Sequence, residues 1–218
     1  MSCWRRDASA AAVQRSPLVD YTIAAVNALY AVRRRRLGVL VCALGVSVAL
    51  TACGTSNQPP TSENNGVYIT AGPLTYQLQI SRLLNQFSTE DSLYVAGLPA
   101  GTSKTLTPTQ LWYGVFMWAK NQTDKTHFTT GNFDIVDTVG DKYFPLRLNR
   151  ALNPYSWTSQ PLHPGATEPA LDTAASFGPT QGGLLLFKLP TTIYDNRPLT
   201  LQILSPTGQV WGSVQLDL

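Results

Sequence analysis

The chain of 218 residues has only three cysteines, Cys3, Cys42 and Cys53, and none follows position 53. Residues 54–218 therefore cannot form a disulfide, a cysteine metal site or a cysteine nucleophile among themselves. Their stability must come from a hydrophobic core, which a segment of about 165 residues is long enough to build as one domain.

The same segment lacks an excess of positive charge. The formal charge of +3 divides into +5 for residues 1–53, with seven Arg and two Asp, and −2 for residues 54–218, with nine basic and eleven acidic residues. Nucleic-acid-binding domains need clustered basic side chains to neutralise phosphates. We therefore predict no nucleic-acid partner for the body of the protein.

Catalytic and cofactor motifs are missing as well. Residues 54–218 contain no G-x-S-x-G, S-x-x-K or H-E-x-x-H motif and no phosphate-binding loop. The two histidines, His127 and His163, are 36 residues apart in predicted turns, where solvated side chains are expected. A Ser–His–Asp set assembled only in space is the alternative. We predict no catalytic residue, no metal and no cofactor, and hence a protein that is not an enzyme.

The apolar run of residues 37–52 is too short for a membrane-spanning helix. Its sixteen uncharged residues would span about 24 Å, against a hydrocarbon core of about 30 Å. It follows the arginine cluster 33–36 and ends in small residues, which is typical of a secretory signal peptide. Residues 33–52 are therefore predicted to be a signal peptide, and a short transmembrane anchor is the alternative.

The end of this run, Leu50-Thr51-Ala52-Cys53, resembles the lipobox of bacterial lipoproteins. In that family the cysteine sulfur receives a diacylglyceryl group, the leader is cut before the cysteine, and the new N-terminus is usually acylated. The resemblance implies cleavage between Ala52 and Cys53 and membrane lipid as a partner through acylated Cys53. It implies a protein anchored by lipid to the extracytoplasmic face of the cell membrane, since several acyl chains hold a protein durably.

Residues 1–32 do not fit a signal peptide, because they would form a positive segment of over thirty residues that includes Asp7 and Asp20. No methionine lies between Met1 and Met117. We predict that translation begins at a non-AUG codon, with Val32 the best candidate. A genuine cytoplasmic extension is the alternative.

After Cys53, the sequence predicts a flexible linker and one domain. Residues 53–66 hold the cysteine and the stretch GTSNQPPTSENNG, which has no large apolar residue, so the domain is predicted over residues 67–218. Within it, Leu74, Tyr76, Leu78 and Ile80 alternate with polar residues and predict a half-buried strand. Residues 111–120 are apolar on both sides and predict a central strand.

Further strands are predicted from the pattern of apolar runs and turn residues, at 133–137, 142–148, 183–189, 199–204 and 209–218. A capping-box-like Ser88-Thr89-Glu90-Asp91 predicts a helical turn at 88–96, and residues 149–181 are predicted to be irregular. The fold class is therefore all-β, an immunoglobulin-like antiparallel β-sandwich with a short helical insertion. A signal-peptide helix and a disordered linker are predicted to precede it.

Five segments then carry a second resemblance: VFMWAKNQT, FDIVDTVGDKYFPL, LHPG, LLLFKLP and NRPLTLQI. Together they resemble the immunoglobulin-like domains of bacterial secreted proteins and lipoproteins, including telokin-like, secreted-antigen-like domains of unknown function. The resemblance covers residues 74–218 and implies an extracytoplasmic domain for binding or envelope interaction, without shared catalytic chemistry. The helical insertion and residues 149–181 depart from that pattern and leave the strand order open.

Two polar clusters have competing interpretations. Asp134, Asp137 and Asp141 surround a predicted hairpin turn, where aspartate next to glycine is turn chemistry, and calcium binding is the alternative. Asn121-Gln122-Thr123 fits a glycosylation acceptor pattern, and a polar turn is the favoured interpretation.

The stretch 149–181 supplies the candidate binding residues Tyr155, Trp157 and Phe177. Aromatic residues among small polar ones on a loop are typical of recognition surfaces. The favoured alternative is that they cap the end of the core. The predicted function is a non-enzymatic binding or envelope-structural module whose partner is an envelope protein or a cell-wall polymer. A ligand-binding lipoprotein serving a transporter and a hydrolase with an unrecognised site are the alternatives.

Overall fold

The computed structural model describes residues 61–62, 66–216 and 218. Residues 1–32, the predicted signal peptide and most of the predicted linker lie outside the described residues, and so do the lipobox residues and Cys53. In the described part, no helix is long and apolar enough to cross a bilayer.

The described residues form strands and a few short helices. The strands are β1 (Thr61–Ser62), β2 (Tyr68–Ala71), β3 (Leu74–Leu84), β4 (Gln110–Lys120), β5 (His127–Phe128), β6 (Phe133–Val136), β7 (Lys142–Tyr143), β8 (Pro161–Leu162), β9 (Thr167–Glu168), β10 (Gly183–Pro190), β11 (Leu199–Leu204) and β12 (Val210–Leu216). The helices are α1 (Thr89–Tyr94), α2 (Ala174–Phe177) and a 3-10 helix (Thr191–Asn196).

Two sheets pack face to face. The first has the order β1-β12-β11-β6-β7 and the second has the order β10-β4-β3-β2, with β9 beside β4. A small third sheet pairs β5 with β8. These strand pairs are antiparallel, apart from the parallel pair β1–β12. The predicted all-β antiparallel sandwich is confirmed.

The core between the sheets is built from apolar side chains of both. Six of them are no more than 1% exposed. The second sheet contributes Leu78, Tyr113 and Phe187, and the first sheet contributes Ile135, Leu201 and Val214. Each such side chain stabilises the fold by about 1.5–3 kcal/mol through removal from water. This burial takes the place of disulfides in a segment that has no cysteine.

A second apolar cluster covers the outer face of the second sheet. It includes Trp112 and Phe116 of β4 and Leu186 of β10, and Tyr94 of α1 closes over them. The ring of Tyr94 meets Phe116 edge to face at 5.0 Å. Strand β4 is thus buried on both faces between β3 and β10, so its prediction as a central strand is confirmed.

Strand β3 departs from simple alternation at a bulge. Leu78 lies opposite Met117 and Ile80 lies opposite Phe116, so Gln79 is an extra residue without a place in the ladder. The bulge turns the following side chains to the other face, and Ile80 is 37% exposed. The prediction that Ile80 shares the buried face of Leu74, Tyr76 and Leu78 is wrong for this reason.

Three local features differ from their predictions. Ser88 makes no side-chain cap at α1. The helix is instead held by Asp91, whose Oδ1 accepts a hydrogen bond from Arg82 Nη2 at 2.7 Å and whose Oδ2 accepts one from the N–H of Asn85 at 2.8 Å. Strand β7 is two residues long, because the chain after it leaves the first sheet. The stretch 149–181, predicted to be irregular, holds β8, β9 and α2.

The N-terminal boundary of the folded region also lies earlier than its prediction. Thr61 and Ser62 fall inside the predicted linker, yet they pair with Ser213 and Val214 of β12, and Thr61 Oγ1 lies 2.9 Å from Ser213 Oγ. The sandwich therefore begins at Thr61, eight residues after Cys53.

Candidate functional site

A groove of about 780 Å³ opens at the side of the sandwich where β6 of the first sheet and β10 of the second sheet diverge. Leu184 and Leu185 of β10 and Phe133 of β6 line it from the two sheets. Residues 144–148 and 156–159 line it from the connecting segments. Leu204 lines it from the end of β11, and Pro206 and Gly208 line it from the β11–β12 connection. Grooves of this size on a rigid scaffold are typical of ligand sites.

Trp157 is held firmly on one wall of this groove. Its indole Nε1 donates to the carbonyl of Thr130 at 2.8 Å, and its backbone N–H donates to the carbonyl of Leu184 at 2.9 Å. Its ring meets Phe133 edge to face, with the ring centroids 5.6 Å apart. A Cβ at Gly183 would lie 2.7 Å from Trp157 Cε3, so the absence of a side chain at Gly183 makes room for the indole.

Thr130 anchors the same wall to the core. Its backbone N–H donates to the hydroxyl of Tyr76 at 2.9 Å, and its Oγ1 donates to the carbonyl of Leu204 at 2.6 Å. Burial raises the pKa of Tyr76 to about 12, against a smaller opposite effect of this hydrogen bond from Thr130. Tyr76 is therefore a neutral structural hydroxyl, and it fixes the wall without adding charge.

Residues 144–148 are a second part of the groove lining, and they carry its exposed groups. Phe144 is 64% exposed, and Arg147 is exposed and forms no ion pair with any residue that the structure describes. This segment is attached to β10 because the N–H of Leu146 donates to the carbonyl of Leu186 at 2.8 Å. Together the lining residues offer aromatic surface and one cation, which suits a ligand that has an apolar part and an anionic group.

The three predicted binding residues do not come together. Trp157 lines the groove, whereas Tyr155 packs into the second cluster with its ring 5.0 Å from that of Tyr94. Phe177 on α2 is 75% exposed and does not line the groove. Sequence reasoning missed Phe144 and Arg147, because both fall in a segment predicted to continue a strand.

The histidines lie near each other on the small third sheet. His127 of β5 lies opposite Leu162 of β8, the residue before His163. His163 Nδ1 is 3.0 Å from Thr126 Oγ1, and neither histidine forms an ion pair with a carboxylate among the described residues. His163 is exposed, as expected for a solvated loop residue.

The aspartates around residue 137 serve the turn. Asp137 Oδ1 accepts from the N–H groups of Val139 at 3.0 Å and Asp141 at 2.9 Å, and its Oδ2 accepts from Tyr143 and Asn196. Burial by itself raises the pKa of Asp137, but these hydrogen bonds bring it below its ordinary value. Asp134 instead pairs with Lys142 Nζ at 2.9 Å. The part of the chain that the structure describes has no cluster of three or more such side chains able to hold a metal ion.

Asn121 is likewise a turn residue. It is fully buried, and its Nδ2 donates to the carbonyls of Lys125 at 2.7 Å and Leu162 at 2.8 Å. Its Oδ1 accepts from the N–H of Thr123 at 2.9 Å. An amide in this position ties β5 and β8 to the end of β4 and is not open to modification.

The described residues thus define the class of the protein as an antiparallel β-sandwich with a groove at its side. Its sequence matches no known family model and no curated protein. Among solved structures, the fold is similar to the yjhA protein from Bacillus subtilis, with a TM-score of 0.46 and 12% identity over 71% of this chain and 99% of that one.

Two further solved structures are similar in the same way. The candidate lipoprotein ycdA from Bacillus subtilis has a TM-score of 0.41 and 11% identity over 72% of this chain and 39% of that one. The uncharacterised β-sandwich protein CD630_09570 from Clostridium difficile 630 has a TM-score of 0.38 and 10% identity over 75% and 99%. All three of these neighbours are bacterial proteins.

Proposed function

We propose that the mature protein is an extracytoplasmic, lipid-anchored binding module without enzymatic activity, with acylated Cys53 as its anchor and the groove as its ligand site. In this proposal the sandwich is of the immunoglobulin-like type found in telokin-like and secreted-antigen-like domains. The ligand is an envelope protein or a cell-wall polymer.

The anchor is supported by the order of features along the sequence. The arginine cluster 33–36, the apolar run 37–52 and the lipobox-like residues 50–53 follow one another directly. The folded region begins only eight residues later, at Thr61, so a lipid on Cys53 would hold the sandwich close to the membrane. The small residues before the cysteine fit a signal peptidase, and the thiol supplies the site of acylation.

The groove carries the proposal of binding. One part of its lining is rigid around Trp157, and residues 144–148 present Phe144 and the unpaired Arg147 to solvent. None of the residues that line the groove is a histidine or a carboxylate, so the groove offers no general base and no proton donor of that kind. Apolar burial together with a guanidinium contact supports binding of an anionic partner.

The first test concerns the anchor. We expect Cys53→Ala to leave an uncleaved precursor or to release the protein from the membrane fraction, since the acylated sulfur is lost. Membrane fractionation and intact-mass measurement of the full-length protein read this out. Cys42→Ala, inside the apolar run, is the matched control and should keep both the lipid and the fractionation. An acylated, membrane-bound Cys53→Ala protein would contradict the anchor.

The second test concerns the groove, in the full-length lipidated protein in its own membranes. A photo-cross-linking amino acid replaces Phe144 in one variant and Leu171 in the other, since both side chains are 64% exposed and only Phe144 lines the groove. We expect a discrete adduct from position 144 and not from 171. Adding Arg147→Ala should lower the affinity of the partner for the groove by about tenfold, because one charged hydrogen bond contributes about 1.5 kcal/mol or more. The yield of the adduct from position 144 should fall accordingly.

The same pair of variants also shows what would contradict groove binding. Equal adducts from positions 144 and 171 would mean that capture is not selective for the groove. An adduct from position 144 that is unchanged by Arg147→Ala would remove the anionic ligand from the proposal.

A further inference from the structure

The strand directions distinguish two ends of the sandwich. Strand β11 ends and β12 begins at one of them, where residues 205–209 connect the two. Because β1 runs parallel to β12, with Thr61 opposite Ser213 and Ser62 opposite Val214, the chain enters β1 from this same end. We call it the tether end, and it comprises residues 71–74, 121–130, 160–165 and 205–209.

Contacts between these segments confirm that they share one end. Thr130 Oγ1 donates to the carbonyl of Leu204, at the end of β11. The backbone N–H of Gly165 donates to the carbonyl of Asn121 at 2.9 Å, directly after β4. The opposite, distal end holds the turn 137–141 and the 3-10 helix, which meet where the N–H of Thr138 donates to the carbonyl of Asn196 at 3.1 Å.

The length of chain between the anchor and the sandwich limits their separation. From Cys53 to Thr61 there are eight residue steps, and at about 3.4 Å per step they reach at most about 27 Å. The N-terminal side of β1 faces the tether end, because β1 runs parallel to β12. Thr61 lies opposite Ser213, in the middle of β12, so this length suffices to reach either end of the sandwich, and it is the direction of β1 that favours the tether end.

The tether end carries the side chains that a lipid surface favours. Phe128 on β5 is 67% exposed, although an aromatic ring of this kind gains free energy by leaving water. Lys120 and Lys125 are both exposed nearby, and Asp124 is the one exposed carboxylate in the same turn. Aromatic rings at headgroup depth with lysines beside them are typical of membrane interfaces, and lysines are attracted to anionic lipid.

The position of Phe128 is fixed by the fold. Strand β5 pairs with β8, with Phe128 opposite Pro161. The buried amide of Asn121 binds the carbonyls of Lys125 and Leu162, so the β5–β8 pair is held against the end of β4. The ring therefore projects from a rigid surface, and its exposure is a property of the folded protein.

We propose that the tether end is a membrane-contact surface, with Phe128 entering the headgroup region of the bilayer that holds the acyl chains of Cys53. This inference rests on the proposed lipid anchor. It predicts that the sandwich stands on the membrane with its distal end outward, and that the groove, whose lining includes Pro206 and Gly208 of the tether end, opens close to the lipid surface.

The test uses the full-length protein with its own leader, in native membranes. A photo-cross-linking amino acid replaces Phe128 in one variant and Val139 in the other. The two side chains are matched in exposure, at 67% and 66%, and lie at opposite ends of the sandwich. After illumination, mass spectrometry of the extracted protein measures covalent lipid adducts. We expect adducts from position 128 in several-fold excess over position 139, and a loss of that excess when Lys120 and Lys125 are both replaced by glutamate.

The outcomes separate this contact from the anchor. A membrane-bound protein with acylated Cys53 whose position 128 gives no more lipid adduct than position 139 overturns the contact and leaves the anchor intact. A protein recovered in the soluble fraction with unmodified Cys53 overturns the anchor and the contact together. Circular dichroism of each variant establishes that the sandwich is folded.

Discussion

Glu168 is the residue whose ionisation the fold opposes most clearly. It lies on β9 opposite Ala119, is 2% exposed, and its Oε2 has no hydrogen-bond partner. Burial raises the pKa of this carboxyl to about 7, and the charge of Arg150 reduces the effect only in part. In the unfolded chain the same group titrates near 4.5. The folded state therefore binds this proton more tightly than the unfolded state does.

The sign of the pH effect follows from that difference. The contribution of Glu168 is most favourable below pH 4.5, falls as the pH rises from 4.5 to about 7, and is constant above that. We expect Glu168→Gln to raise the free energy of unfolding at pH 8, by on the order of 3 kcal/mol at most, and to leave it nearly unchanged at pH 4. Urea unfolding of both proteins across this range measures it. A parallel pH dependence in the variant would contradict the raised pKa.

Two buried asparagines differ in how far their structural roles can be predicted from the sequence. Asn121 was predicted to be in a turn from its polar neighbours, and it is. Asn153 carried no signal, yet it is fully buried, and its Nδ2 donates to the carbonyls of Tyr94 at 2.9 Å and Ala96 at 3.1 Å. Its partners are nearly sixty residues away, so only the folded chain could show that it fastens the loop to α1.

Local sequence patterns predict the strands well, but they do not predict irregularities in strand pairing such as the bulge in β3. Strand β11 has the predicted bounds, and β4 is buried on both faces as its two apolar sides indicated. The bulge at Gln79 arises from the register of β3 against β4, which is not encoded in the local alternation. For the same reason the groove could not be predicted, because it exists only where residues 144–148 leave the first sheet and join β10.

Gly183, the first residue of β10, sets the position of Trp157 in the groove. Gly183 leaves room for Trp157, whose Cε3 would lie 2.7 Å from an added Cβ. We expect Gly183→Ala to displace the indole and to destabilise the fold by about 1–3 kcal/mol, the usual cost of overpacking. Near-UV circular dichroism and tryptophan fluorescence should both change.

Gly131→Ala is a suitable control for this effect, since the nearest atom to its added Cβ is Ser159 Cβ at 3.3 Å, which needs only a small adjustment. Its tryptophan signals should stay close to those of the unchanged protein. An unperturbed indole in Gly183→Ala would show that Trp157 does not depend on this glycine. Its position would then be fixed by its hydrogen bonds to Thr130 and Leu184 and by its contact with Phe133.

At the scale of the whole molecule, the charge of the sequence is divided between two parts of the chain, residues 1–53 and residues 54–218. The excess of positive charge lies in residues 1–53, ahead of the sandwich, whereas residues 54–218 carry a formal charge of −2. In the proposed function the basic segment directs export and is then removed. Lys120 and Lys125 at the tether end are two of the seven basic side chains that are exposed among the described residues, and they are the ones proposed to face the membrane.

The two apolar clusters of the sandwich lie on opposite faces of one sheet, so they should unfold together. Leu186 belongs to the outer cluster and its neighbour Phe187 to the core, both on β10. We expect one thermal transition, with far-UV and near-UV circular dichroism coinciding. Leu186→Ala should lower the free energy of unfolding by about 2–5 kcal/mol without splitting the transition.

Because residues 54–218 contain no cysteine, a reductant should leave that transition unchanged in the form that begins at Cys53. The conservative Leu186→Met is the control, as it keeps the volume of the side chain and should cost less than about 1.5 kcal/mol. A separate early transition in Leu186→Ala would show instead that α1 and residues 146–155 detach from a sandwich that remains folded. In that case the outer cluster, which includes Leu146 and Leu148 of the groove wall, would be an independent unit, and ligand binding could be lost without loss of the core.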